Sequence, residues 1–427
     1  MSLCIDNIRL VRDGKPDATT SSVVVEDGRF VAVGDSVDRC EQHVDGQGQW
    51  LLPGLIDLNC HLREPGAERR GRIATETRAA AHGGFTTVCA APDTSPVNDS
   101  GAVTNLIRDL AESQGVVRVL PVGAMTRGLG GEQLSDMAGL LSAGCVALGS
   151  GGRPTANSRV LRRCMAYAHT FGLTLFVQPE NASLSAGGCA HDGVLAARLG
   201  LPGIPEVSET TAVSELLLLA EETGARLHIG PLSCARSLQL LESARQGGLR
   251  VTAEVAIHHL VHTDARIDGY DSTYHCRPPL RSEEDRQALL AGVESGLVDA
   301  ITSQHRPQDG AAKQAPFPET EPGLSTVESV FSLGLGLVQS GDLSLGRLLE
   351  ALGRGPAEVL GQAVPAIEPG NPADFFLVKP DESWWVAPET LLSAGKHAPV
   401  LYDNLPGVVS CTYVGGHCAY SDQKGNA

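Results

Sequence analysis

Basic residues are in short supply: 33 Lys and Arg stand against 50 Asp and Glu over 427 residues, a formal charge of −17. A surface of that sign repels phosphate backbones and anionic lipid, so neither nucleic-acid nor membrane-surface binding is expected. No run of like charge is long enough to form a tail, and no stretch approaches the ~20 apolar residues of a membrane span. The start, MSLCIDNIRLVRDG, has no basic n-region and no apolar h-region. That argues against a secretory signal and for a cytoplasmic location. Eleven cysteines are present, but no two have C-x-x-C spacing, which argues against a cysteine zinc site. Cys89 in TTVCAAP and Cys145 in AGCVALG lie in apolar runs, the setting of reduced thiols buried in strands rather than of a disulfide framework.

Apolar residues make up 42% of the chain, enough to bury a large core. The length fits a (β/α) barrel with an accessory domain, or two ordinary domains. The first fifty residues read as short strands with tight turns. Ser22–Glu26 and Arg29–Val33 flank Asp27-Gly28, a hairpin signal. The last sixty read alike, with β-rich Asp374–Val378 and Val409–Val414 and a turn at Gly415-Gly416. Together, residues 1–52 and 366–427 are expected to form one small β domain, with residues 53–365 inserted between them.

The inserted part alternates. Apolar strand candidates fall at Leu55–Cys60, Thr86–Ala91, Arg118–Gly123, Cys145–Gly149, Thr174–Gln178, Arg226–Gly230, Arg250–Val255 and Asp299–Gln304. Helical patterns separate most of them. Val213, Leu216, Leu217 and Ala220 follow i, i+3, i+4, i+7, and Gly224 sits where a glycine stop belongs. A helix from about Ser158 to Phe171 ends at Gly172. Eight alternations predict an α/β fold of the (β/α)₈ TIM-barrel type, whose chemistry would sit at the C-terminal strand ends. Those ends carry Asn59, His61, Asp93, Ser150, Gly151, Gln178, Pro231, His258, His259, Gln304 and His305.

The most specific segment is PGLIDLNCHLREPG, Pro53 to Gly66. It resembles the first-strand motif of the cyclic amidohydrolases, above all the dihydroorotases, where two histidines one residue apart bind zinc. Residues i and i+2 of a strand share a face, so both imidazoles of such a pair reach one metal. The resemblance continues in order through GGFTTVCAAPDTSPV, VLPVGAMTRGL, GGRP, QPEN, EVAIHHL, RPPLR, ITSQHRPQ and NPADFFLV, along nearly the whole chain.

What the resemblance implies about function depends on its site residues. The two first-strand positions fall on Asn59 and His61, and the acidic bridge of a DDG-type turn falls on Gly151. The histidine after strand five falls on Gln178, and the one after strand six on Pro231. The catalytic aspartate ending strand eight falls on Gln304. Of the six, His61 alone is a zinc ligand, whereas zinc catalysis takes about three protein ligands plus an open position for water. Without the metal the water keeps its high pKa, and Gln304 supplies no general base. Arg63 matches the arginine that would grip a substrate carboxylate. Asp93 replaces an asparagine and would set a negative charge against an anionic substrate. Arg277 replaces another asparagine, and beyond the retained His305, Arg306 and Gln308 replace a small residue and a histidine.

The other candidates have plain readings. His228 reads as a hydrogen-bonded core histidine, His262 as solvated in a loop, and Glu180 as a hydrogen-bonder at the barrel rim. His258 and His259 are adjacent, so on a strand they would point to opposite faces and could not share an ion. Gly151-Gly152 and Gly247-Gly248 read as turns without phosphate-loop spacing.

Three functions fit. The first is a non-catalytic structural subunit without metal or cofactor. The resemblance implies its partner, because dihydroorotases associate with aspartate transcarbamoylase in pyrimidine biosynthesis, and some bacteria pair that enzyme with an inactive dihydroorotase-like chain. Such a chain works in a hetero-oligomer, and the segment from His305 to Leu324, with no substrate to cover, would be free for contacts. The alternatives are a cyclic amidohydrolase with an unconventional metal site and a ligand sensor using the emptied cavity.

Overall fold

The eight apolar runs become eight parallel strands in the computed structural model, which describes residues 2–34, 40–154 and 157–422. Barrel strands one to eight are Leu55–Cys60, Phe85–Ala90, Arg118–Ala124, Ala147–Gly149, Thr174–Val177, Arg226–Ile229, Val251–Ala256 and Ala300–Thr302. Each pairs with the next. The ring is nearly closed where the His61 amide donates to the His305 carbonyl at 2.8 Å, beside a parallel bridge between Cys60 and His305. Strand eight is shorter than its apolar run because the chain turns at Gln304, whose φ of 47° is left-handed.

Helices cover the outside. In Glu206–Thr223, Val213, Leu216, Leu217 and Ala220 are buried, and Gly224 ends the helix at φ 69°. Only glycine takes that conformation without crowding a Cβ against the backbone. The helix Ser158–Thr170 stops before Gly172 as the pattern predicts.

Both chain ends enter one sheet. Its order is His417–Ser421, Asn404–Val414, Phe375–Trp385, Trp50–Pro53, Ser2–Arg12, Ser21–Glu26 and Arg29–Val33, with Lys15–Pro16 and Gln42–Asp45 also paired to Ser2–Arg12. The strand Trp50–Pro53 stitches the ends together, antiparallel to Phe375–Trp385 and parallel to Ser2–Arg12. The core beneath draws on both ends: Ile5, Ile8 and Phe30 pack with Leu51, Phe375 and Tyr413. Asp27 and Gly28 both take positive φ, as the two-residue hairpin turn requires. Gly54 then hands the chain from this sheet into barrel strand one. A Cβ there would stand 2.2 Å from Thr86 Oγ1.

One expectation about cysteine needs correction. Cys4 and Cys40 form a disulfide, Cα atoms 5.9 Å apart, because Gln42–Asp45 pairs in parallel beside Cys4. The other nine cysteines are free and seven of them are buried, as expected. Among the described residues, no helix is long and apolar enough to cross a membrane.

Candidate functional site

Strand ends converge on one cavity at the barrel mouth. Of the six positions the sequence points to, Asn59, His61, Gly151, Gln178 and Gln304 line it, and Gly230 stands in for its neighbour Pro231. Water has about 50 Å³ of room there. Gly151 and Gly152 both take positive φ, and a Cβ on Gly151 would lie 2.8 Å from Leu129 Cδ1. The backbone at the position of the acidic bridge is therefore shaped for a residue without a side chain.

Two closed networks occupy the mouth. In the first, His61 Nδ1 donates to Asp93 Oδ1 at 2.6 Å, while Arg63 Nη1 lies 3.4 Å and Arg306 Nη2 3.6 Å from Asp93 Oδ2. Burial alone would raise the Asp93 carboxyl, but His61 and the two arginines outweigh it and hold it well below the usual carboxylate range. Burial lowers His61 against the pull of Asp93, so the ring favours its neutral form. Arg63 is pushed down to about 10 by burial and stays charged at neutral pH. Its backbone φ of 67° is a left-handed conformation rare for a long side chain, held by the surrounding contacts. Asp93 thus does more than repel an anion. It stands as the counter-charge of Arg63 and Arg306.

In the second network, Asn59 Nδ2 donates to Glu254 Oε1 at 2.9 Å, and His228 Nε2 lies 3.2 Å from Glu254 Oε2. His228 also bonds Thr252 Oγ1 through Nδ1 at 2.8 Å, so it is the hydrogen-bonded core histidine its strand position predicts. Sequence reasoning missed Glu254. Its signal was a lone acid inside the apolar strand VTAEVA, where a charge demands a buried partner.

Outside these, Glu180 sits at the rim, bound at both oxygens by Arg277 and by Ser185, as the rim reading predicts. Gln304 Nε2 donates to the Arg277 carbonyl at 2.6 Å. His305 Nδ1 accepts from the Thr326 amide at 3.1 Å, and its Nε2 meets buried Glu76 at 2.7 Å. Asp93, Glu254 and Glu180 are all engaged in hydrogen bonds or ion pairs.

Two expectations do not hold. His258 and His259 do not diverge, because strand seven ends at Ala256 and Ile257–Val261 forms a helical turn that sets their ring centroids 4.6 Å apart. His262 is buried rather than solvated, its ring against Tyr274. The segment from His305 to Leu324 is tied down. Buried Lys313 donates to the Ser272 and His275 carbonyls, Gln308 to the Pro322 carbonyl, and Phe317 packs on His275. Its outward residues, such as Gln314 to Pro316, remain exposed.

The six positions do not supply a zinc set: Asn59, Gln178 and Gln304 are amides, Gly151 and Pro231 offer no side-chain ligand, and His61 is the one ordinary zinc ligand among them. Among the described residues, groups of three ligand-type side chains close enough to share an ion occur elsewhere, at His258, His259 and Cys276 and, were the Cys4–Cys40 disulfide reduced, at Cys4, Cys40 and His43.

Comparison with known proteins agrees with this architecture. The family model described as dihydro-orotase-like matches residues 48–237. A dihydroorotase-like protein of Pseudomonas aeruginosa is 42% identical over 422 residues, covering 98% of this chain and 100% of its own. A dihydroorotase of Anaeromyxobacter sp. is 41% identical over 407 residues, covering 94% of each. Among solved structures, L-hydantoinase (dihydropyrimidinase) from Arthrobacter aurescens superposes with a TM-score of 0.87 at 23% identity, over 97% of this chain and 95% of that one. At that identity the match speaks to fold.

Proposed function

The chain belongs to the dihydroorotase-like family, and from that premise we propose that it is a non-catalytic member, a cytoplasmic structural subunit that holds aspartate transcarbamoylase in an active assembly for pyrimidine biosynthesis. The observation that carries this reading is the pair of closed networks at the barrel mouth, Asp93 with His61, Arg63 and Arg306, and Glu254 with Asn59 and His228. In them an amide, Asn59, stands on Glu254 where a second first-strand histidine would stand, and Arg63 faces Asp93 within the chain. A scaffold needs only the fold.

The fold persists without the chemistry. A stable obligate interface buries over ~2,000 Å² in total, about half from each partner, and this chain exposes 17088 Å². One spot suited to contact is the exposed aromatic pair Trp385 and Tyr402, ring centroids 6.3 Å apart. Exposed aromatics of this kind anchor interfaces because they bury much area for little lost side-chain entropy.

The test is to express the transcarbamoylase catalytic chain of the same organism with and without this protein. The expected result is one co-eluting complex, with activity that falls when this chain is omitted. A catalytic chain fully active alone, running apart from this protein in the mixture, overturns the scaffolding role.

A further inference from the structure

The turn that ends barrel strand seven brings three ligand-type side chains together away from the mouth networks. His258 and His259 come from Ile257–Val261, and Cys276 from the loop leading into RPPLR. One ligand atom from each lies within 4.8 Å of the others. All three residues are buried, at 1%, 2% and 4% exposure.

The nitrogens are in a state that asks for a partner. His259 Nε2 lies 3.2 Å from the Pro279 carbonyl, which can only accept, so Nε2 carries the proton and Nδ1 holds a lone pair. That Nδ1 is buried and meets no donor, and both ring nitrogens of His258 are likewise unpartnered. The Gln304 side chain is a weak partner of the His258 ring, outside full hydrogen-bond geometry. Buried polar atoms in folded proteins are nearly all satisfied, so several orphans in one cluster mark a missing group. A carbonyl that fixes the tautomer of an imidazole is also what orients histidine ligands around an ion. Beside them lies a void of about 10 Å³, room for a single atom, where His258 and Cys276 meet Gln304, Arg277 and Arg306 and which His259 does not line.

Charge selects among ions. A thiolate and two neutral imidazoles carry −1, so a monovalent ion gives a neutral complex and a divalent ion leaves +1 in a buried place. Positive charge is already nearby, with Lys313 bound to the His275 carbonyl and Arg277 next in the chain. Uncompensated buried charge is disfavoured, and thiolate with imidazole suits a soft ion. We propose that His258, His259 through Nδ1, and Cys276 through Sγ form a binding site for one soft monovalent ion of the copper(I) class. On binding, the S–H bond breaks, a sulfur–copper bond forms and the thiol proton leaves to solvent, with no change of oxidation state. Three ligands about 2.0–2.3 Å from one ion stand roughly 3.5–4 Å apart, so side-chain rotation of about an ångström closes the site. The ion pins the end of strand seven to the RPPLR loop.

The experiment uses the full chain carrying Cys40→Ser, which removes the other thiol cluster. The reduced protein is titrated anaerobically with copper(I) against bicinchoninate, and in parallel with zinc(II) against a chromophoric chelator. The expected result is one copper(I) per chain, bound more tightly than zinc, with X-ray absorption reporting one sulfur and two nitrogen neighbours. Cys276→Ser and His259→Ala each weaken binding at least about tenfold, the lower bound for disturbing a metal's ligand shell. Uptake of no ion, tighter zinc than copper, affinity unchanged in both variants, or an absorption spectrum without sulfur would each overturn the assignment. The spectrum is taken on the protein with its cluster intact, so the test stands even if a variant folds poorly.

Discussion

Asp93→Asn removes one buried negative charge and changes almost nothing in shape. The carboxylate, about nine-tenths buried, is hydrogen-bonded by His61 and faced by Arg63 and Arg306. An asparagine keeps a bond to His61 and abandons both guanidiniums. Arg306 is part-exposed, so solvent screens most of its loss. Arg63 is not, and one of its nitrogens already lacks a partner. Breaking a buried pair by removing one member costs ~3–5 kcal/mol. The 3.4 Å separation is loose, so the lower end, about 3 kcal/mol, is expected. With an unfolding entropy near 2.1 cal/mol/K per residue, 427 residues give roughly 0.9 kcal/mol/K, and the midpoint should fall by about 3 °C. Scanning calorimetry at low and high salt reads this directly, and the drop should survive high salt because the pair is buried.

The pH dependence has a definite sign. The Asp93 carboxyl is depressed in the folded chain, so its contribution is complete above the unfolded carboxylate value near 4 and is lost as pH falls through the folded one. The gap between wild type and variant should stay constant above about pH 7, widen toward pH 5 because His61 loses the upward pull of Asp93 in the variant, and close in stronger acid. Freed of Asp93, Arg63 should also accept an added small carboxylate, giving the variant a saturable stabilisation that the wild type lacks. A variant as stable as the wild type, or more stable, would refute the reasoning and mark Asp93 as a strained remnant rather than the counter-charge of the mouth.

Two further outcomes follow from the networks. The wild type and Asn59→His should both give no dihydroorotate turnover in either direction above a no-protein blank. The acidic bridge, the histidines after strands five and six and the aspartate ending strand eight stay absent, and groups that act as a unit are not restored singly. Glu76→Gln should cost about 3 kcal/mol, read as a lowered midpoint, because the buried carboxylate accepts from His305, Ser393 and the Ala394 amide. Burial would raise Glu76, but those bonds prevail and hold it below its usual range. Its contribution is therefore present above about pH 4–5 and fades in acid, taking the difference from Glu76→Gln with it.

Local patterning was enough to read the eight barrel strands, the Asp27-Gly28 hairpin and the stop at Gly224, because periodicity and glycine placement act within a few residues. The chemical poverty of Asn59, Gly151, Gln178, Pro231 and Gln304 was equally legible, since donor chemistry belongs to the residue and not to its neighbours. Tertiary structure alone decided what surrounds those positions. Asn59 meets Glu254 across 195 residues of chain, and Asp93 is neutralised by arginines from two other loops. Cys4 finds Cys40 only because two strands pair in parallel. His258 and His259 share a side because the strand ends one residue before them and a helical turn begins. Each of these rests on register between distant segments, or on where one conformation yields to another, and neither leaves a period in the sequence for a reader to find.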